Sequence, residues 1–116
     1  MFHIELQPSD ERQHVEFFND GNVVAHFERS PIGPLIHCTV EKWNKESRDI
    51  THVVLYEICK EFYSRGIESI FALVSTDDRK HKKFIAQYGF QFVMYGEDQD
   101  KNGLELWELS TDVGED

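Results

Sequence analysis

Five consecutive residues, Arg79-Lys80-His81-Lys82-Lys83, hold four of the chain's twelve Lys and Arg. They follow Thr76-Asp77-Asp78, which reads as a helix start, with Asp favoured at the positive end of the dipole. Cations there attract phosphate. A run of this kind is more often a solvated helix face. His26, His37 and Glu41 fall in strand-like stretches and are residue types that accept a proton near neutrality, His by its own pKa and Glu when burial raises it. A single strand His is also commonly a structural residue. Tyr88 has a phenol that could donate a proton, and it could equally pack in the core. Cys38 and Cys59 stand apart, with no CxxC and no His at zinc-finger spacing. Two reduced thiols are therefore expected, with no disulfide, zinc or other metal role. Cys38 beside His37 is not a nucleophile pair, because neighbours on a strand point to opposite faces.

The elements that must position these residues are legible as alternating periodicities. Residues 2–6 predict a first strand. His14–Phe18, then Asn19-Asp20-Gly21-Asn22, then Val23–Glu28 predict a hairpin, since Asn, Asp and Gly accept the positive φ angles of tight turns. Residues 35–43 predict a third strand after the Pro/Gly turn at 30–34. Residues 50–65 predict a helix, with Ile50, Val54, Ile58 and Phe62 at four-residue spacing, Leu55 and Cys59 widening the stripe, and Asp49 or Thr51 as its cap. Gly66 suits a left-handed C-cap. The apolar run at 67–75 predicts a strand covered on both faces. A second helix over 79–88 buries Phe84, Ile85 and Tyr88. Strands at 90–97 and 103–110 close as a hairpin, with Trp43 and Trp107 as core or rim packing, and 111–116 reads as an acidic, frayed tail.

With 116 residues the chain is sized for one domain, residues 1–110, able to close a core without staples. The formal net charge of −10 argues against broad nucleic-acid binding, because phosphate backbones are repelled. The acids are interleaved with apolar strand residues, so an acidic mimic of nucleic acid is a minor reading. No stretch has the length of a membrane span and no leader is evident, so a soluble, cytoplasmic protein is expected.

A strand, a crossover helix and a further strand imply a parallel pair within a mixed sheet. In this order, the Asp20-Gly21-Asn22 hairpin, the helix ending Tyr63-Ser64-Arg65-Gly66-Ile67-Glu68-Ser69-Ile70, and Phe84-Ile85-Ala86-Gln87-Tyr88-Gly89-Phe90-Gln91-Phe92 before a closing hairpin resemble the GNAT family of N-acetyltransferases. The resemblance covers residues 14 to 110. It implies a compact α/β fold, a central mixed sheet with two main helices. The pair of helices that helps build the family's acceptor site has no room here. The segment from Asp77 to Phe90 looks most like small GNAT-like proteins of tailed phages, which would place the protein in host cytoplasm or a virion.

The resemblance also implies acetyl-CoA as cofactor and an amine, on a small molecule or a protein, as acceptor. The family cradles pyrophosphate with Gln/Arg-x-x-Gly-x-Gly/Ala at a helix start, where free amides and close backbone approach suit phosphate. Counting back from Gly66 places Glu46, Asp49 and Thr51 at those positions, and none of them matches the pattern. The backbone of Thr39, Val40 and Glu41 corresponds to the strand that receives the acyl arm. Arg48, Asp49, Ile50 and Thr51 correspond to the cofactor loop, with Asp78, Lys80 and His81 beside the phosphates and Lys45 as a further cation. Asp78 stands at the family's Asn and Ile85 at its proton-donating Tyr, so Tyr88 is the remaining donor; His37 and Glu41 are candidate bases. Two readings stay open: an acyl-CoA-dependent N-acetyltransferase, or a catalytically silent GNAT-like domain that binds a partner protein, forms a homodimer, or serves as a phage virion or host-interaction factor.

Overall fold

Turn chemistry at residues 19–23 sets the first hairpin. In the computed structural model, which describes residues 14–113, β1 (His14–Asn19) pairs antiparallel with β2 (Val23–Glu28). Gly21 takes a φ of 91°, and the Asp20 carboxylate accepts the amides of Asn22 and Val23 at 2.8 and 2.7 Å. Those donors, Val23's first, hold the Asp20 carboxyl below its ordinary range. β2 returns as β3 (Leu35–Val40) with all of Val23–Glu28 in antiparallel register. The strand expected at residues 2–6 lies outside the described residues.

The first helix starts earlier than its apolar stripe suggests. α1 spans Lys45–Ser64, and its cap is Asn44, not Asp49 or Thr51. The Asn44 side chain accepts the Ser47 amide at 2.8 Å while the Ser47 hydroxyl accepts the Asn44 amide at 2.9 Å, a reciprocal capping box. This closes the polar segment after β3 into helix, so β3 ends at Val40 instead of reaching Trp43. Val54, Leu55, Ile58, Cys59 and Phe62 form the buried stripe. Gly66, at φ 84°, ends α1, and the Ile67 amide folds back onto the Phe62 carbonyl at 2.9 Å.

The remaining elements are β4 (Ser69–Ser75), α2 (Arg79–Gln87), β5 (Gln91–Glu97) and β6 (Gly103–Ser110). They complete a six-stranded mixed sheet in the order β1-β2-β3-β4-β6-β5. β4 departs from expectation: Ile70, Ala72 and Val74 are buried while Leu73 is 44% exposed. It alternates because both helices lie on one face. Residues of α1 and α2 join a single core with Val15, Phe17, Ala25, Phe27, Ile36, Ile70, Ala72 and Val74. The other face, carrying His26, His37, Phe71 and Leu73, has no helix over it among the described residues. The chain is still anchored past residue 110. Thr111 is fully buried, its hydroxyl donating to the Ile67 carbonyl at 2.6 Å and its amide to that of Glu68 at 3.0 Å, so the end of the fold extends into the expected tail. No helix among the described residues is long and apolar enough to cross a membrane.

The helix start is testable by substitution. Asn44→Ala should cost about 1 kcal/mol in urea unfolding, as caps do. Asp49→Ala, which removes an exposed partner of Lys45 and Arg48, should leave the midpoint nearly unchanged. The reverse ranking would move the helix start back to Asp49.

Candidate functional site

β3 and β4 run parallel but share one ladder pair, Leu35 with Phe71, and then part. Beyond it, β3 is laddered only to β2, and β4 only to β6. The parting opens a wedge beneath the helices, lined by Ile36 and Cys38 from β3, Ala72 from β4, and His81, Phe84 and Tyr88 from the α2 side. These side chains nearly fill it. The remaining void is about 20 Å³, room for about one water. Trp43, 48% exposed, meets the Phe84 ring edge-on at 5.3 Å, so this aromatic pair adjoins the wedge from the solvent side. An apolar hollow of about 670 Å³ lies elsewhere, bordered by the Pro31–Pro34 turn, Phe62 and Ile67.

A buried polar network ties the wedge to the start of α1. The Thr51 hydroxyl donates to the Ser47 carbonyl at 2.8 Å and lies beside the Cys38 thiol and the Tyr88 phenol, where it opposes the rise that burial gives both groups. The Tyr88 phenol donates to the Arg48 carbonyl at 3.3 Å. Burial raises the Tyr88 pKa, with Thr51 opposing, and pushes the Cys38 thiol up to about 11. Burial also lowers the pKa of His81, against the pull of Asp78, so its imidazole is neutral at physiological pH.

Two helix starts lie near this wedge, and each is largely satisfied by its own residues. At α1 the capping box uses two of the four amides that a helix start leaves over, so the Lys45 and Glu46 amides remain for solvent or a ligand. Glu46 and Asp49 bring negative charge there; Lys45 holds Asp49 at 3.0 Å, with Arg48 3.9 Å away, and keeps its carboxyl below the usual range. At α2 the Asp78 carboxylate accepts the His81 amide at 3.0 Å, and the Arg79 amide turns back to the Asp77 carbonyl at 3.1 Å.

The candidate residues distribute unevenly over this geometry. Tyr88, His81 and Thr51 gather at the wedge, and Arg48, Asp49 and Ile50 lie on the first turns of α1. Thr39 and Val40 continue β3, and Glu41 is exposed just past its end, its amide bound to the Asn22 carbonyl at 2.9 Å. His37 is on the face opposite the wedge, where Glu28 meets its Nε2 at 3.2 Å. Within the basic run, Lys82 turns to the buried Glu105 at 3.1 Å, which also accepts the Trp107 indole N–H at 3.0 Å. Arg79, Lys80 and Lys83 remain exposed without an ion pair among the described residues. The spacing of the chain did not show Cys38 as a wedge residue; its alternation with Ile36 along β3 was the available signal.

The arrangement of one parted parallel pair, one crossover helix and a closing antiparallel hairpin has clear counterparts among solved structures. The ribosomal-protein-S18-alanine N-acetyltransferase from Escherichia coli aligns over 89% of this chain and 72% of its own, with a TM-score of 0.60 at 12% identity. A GNAT-family acetyltransferase from Streptococcus pneumoniae covers 90% and 70%, with a TM-score of 0.60 at 14% identity. The fold is that of the GNAT acetyltransferases. A chimeric spermidine N-acetyltransferase from Vibrio cholerae aligns over 90% and 70% of the two chains, with a TM-score of 0.65 at 10% identity. No family profile matches the chain, and no curated protein matches it in sequence. The GNAT likeness therefore rests on the path of the backbone and leaves the chemistry to the residues at the wedge.

Closure of the wedge has a chemical readout. At about pH 8.5 an ordinary thiol is substantially ionised. Cys38, at about 11, should hold roughly a hundredfold less thiolate and react correspondingly slowly with iodoacetamide. Labelling of Cys38 in the folded protein at the rate of a free cysteine would mean that the wedge stands open.

Proposed function

We propose that the chain binds an acyl-CoA, acetyl-CoA in the simplest case, along the parted edge of β3 and passes the acyl group to an amine. The observation that supports this most is the single ladder pair between β3 and β4. It leaves the β4-facing edge of β3 without a strand partner, a place where an amide-bearing arm can lie as a short added strand. Thr39, Val40 and Glu41 would receive that arm through their backbone. The Lys45 and Glu46 amides, with the side chains of Arg48 and Lys80, would hold the phosphates, and Asp49, Ile50, Thr51 and Asp78 would shape the bed beneath them. The residues present fit the arm better than the pyrophosphate, since Glu46, Asp49, Asp77 and Asp78 all crowd the two helix starts.

Bound there, the thioester would supply an activated acyl carbon for direct attack by an amine. A base must take the amine proton. His81 is neutral and lines the wedge, which favours it over Glu41 and His37, whose side chains lie outside it. The leaving sulfur needs a proton in return. Ile85 has none to give, and Tyr88 has one once its long bond to the Arg48 carbonyl is released. Entry of the arm requires Phe84 and Trp43 to swing aside. The acceptor amine is unassigned: the solved relatives named for spermidine and for a ribosomal-protein alanine illustrate a small and a protein amine respectively.

A second reading rests on the filled wedge and the acid-flanked helix starts. In it the chain is a GNAT-like domain without transfer activity that serves as a binding component, such as a phage virion or host-interaction factor. Titration with acetyl-CoA separates the two. On the first reading, amides of residues 45–52 and 78–84 shift below about 1 mM ligand, the upper end of ordinary KM values. Phe84→Ala, which opens the wedge, should tighten binding severalfold. Unmoved amides in both proteins at that concentration would leave the binding domain as the function.

A further inference from the structure

Three histidines from three adjacent strands converge on the sheet face that carries no helix among the described residues. His26 on β2 is the ladder partner of His37 on β3, and His14 enters from β1, where its ladder partner is Glu28. The His26 and His37 rings stack at 4.8 Å, and His14 lies 4.9 and 5.4 Å from them, centroid to centroid. One ring nitrogen of each lies within 4.8 Å of the other two. Glu28 Oε1 stands 3.2 Å from His37 Nε2 and 3.7 Å from His14 Nε2. We propose that His14, His26 and His37, with Glu28 as fourth ligand, bind one divalent transition-metal ion of the zinc type.

The ligand set suits such an ion. Imidazole nitrogen and carboxylate oxygen are ordinary zinc donors, and imidazole-rich sites favour zinc, copper and nickel over magnesium or calcium. Zinc–nitrogen bonds of about 2.0–2.1 Å put tetrahedral ligand atoms roughly 3.4 Å apart. Glu28 is already at that spacing from two of the imidazoles. The nitrogens need to close by up to about 1.4 Å, which χ rotations accomplish on partly exposed rings. His14 is exposed and His26 and His37 half-buried, so an ion can reach them and the rings can move.

The local electrostatics point the same way. Three protonated imidazoles this close would repel one another. Glu16, the ladder partner of His26, adds a second carboxylate beside Glu28 to attract a cation. The neighbouring thiols are not part of the site, since Cys38 points to the helix face and Cys59 lies in the core. An ion here would pin β1 to β2 and β3 on the face that carries no helix among the described residues. It would act as a cross-strand staple, separate from the wedge.

The test uses the full chain, free of any histidine tag and stripped with a chelator, titrated with Zn²⁺ by calorimetry. One equivalent should bind and raise the thermal midpoint. His26→Ala and His37→Ala should each weaken binding roughly tenfold or more, and Glu28→Gln by less. His52→Ala, an exposed histidine on α1, should leave it unchanged. In NMR, Zn²⁺ should move the ring resonances of His14, His26 and His37 and not those of His52. Should His26→Ala fail to fold, His14→Ala reads the same loss from the exposed edge. No saturable binding, or binding that survives loss of these histidines in folded protein, overturns the proposal.

Discussion

The parting of β3 and β4 after a single ladder pair is the constraint on which the rest of the molecule depends. Two parallel strands that separate leave backbone donors and acceptors facing a gap, and such groups must find partners or water. The gap also removes the flat surface on which a helix would otherwise pack. α2 answers this by sending Phe84 and Tyr88 into the opening, while Cys38 fills it from β3. Thr51 then becomes the buried link that joins Cys38, Tyr88 and the first turn of α1. The capping box at Asn44 places that turn, so a polar residue outside the wedge determines where Thr51 stands within it.

Charge is managed locally in a chain whose net charge is −10. Asp49 is countered within its own helix by Lys45, and Glu105, buried below β6, is held by Lys82 and the Trp107 indole. Exposed pairs of the first kind are worth little and are screened by salt. The second kind differs. Glu105 is 4% exposed, so losing Lys82 would strand a carboxylate among aromatic rings. One residue of the basic run is thus committed to the fold, while Arg79, Lys80 and Lys83 have no ion pair among the described residues.

Most of the backbone was legible in the sequence because the patterns were local. The Asn19–Asn22 turn carries its own hydrogen-bond acceptors, and the Val54–Ile58–Phe62 stripe with Gly66 announces a helix and its end. The start of α1 was not, because Asp49 and Asn44 are both good caps, and the competition was settled by Ser47 closing the box with Asn44. β4 looked covered on both sides since Phe71 and Leu73 are apolar, yet they face the side without helices. The wedge was legible only as a resemblance. The fit of side chains into it depends on the angle at which two strands part, which no single-residue pattern carries. The histidine cluster was invisible for a related reason. His14, His26 and His37 form no spacing motif along the chain and meet only through antiparallel register.

Among the described residues both helices lie on one face of the sheet. A sheet with helices on one side builds a one-sided core, and Ile58, Ile70 and Phe62 are sealed while Leu73 is half open. Leaving the other face bare exposes apolar side chains at the centre of the sheet, and the described part of β1 is a six-residue edge strand held by its ladder to β2. The ladder itself slips between Glu16 and Phe18, where the register shifts, so its grip is weakest near the turn. At the opposite end of β1 stand His14 and Glu28, paired across the strands. On this face the edge strand is held by the contacts of Glu28 with His14 and His37 where it enters the sheet, and by the Asp20 turn where it leaves. Between those two anchors, Val15 and Phe17 reach through to the helix-side core, so the edge is fixed by burial on one face and by charge and imidazole on the other.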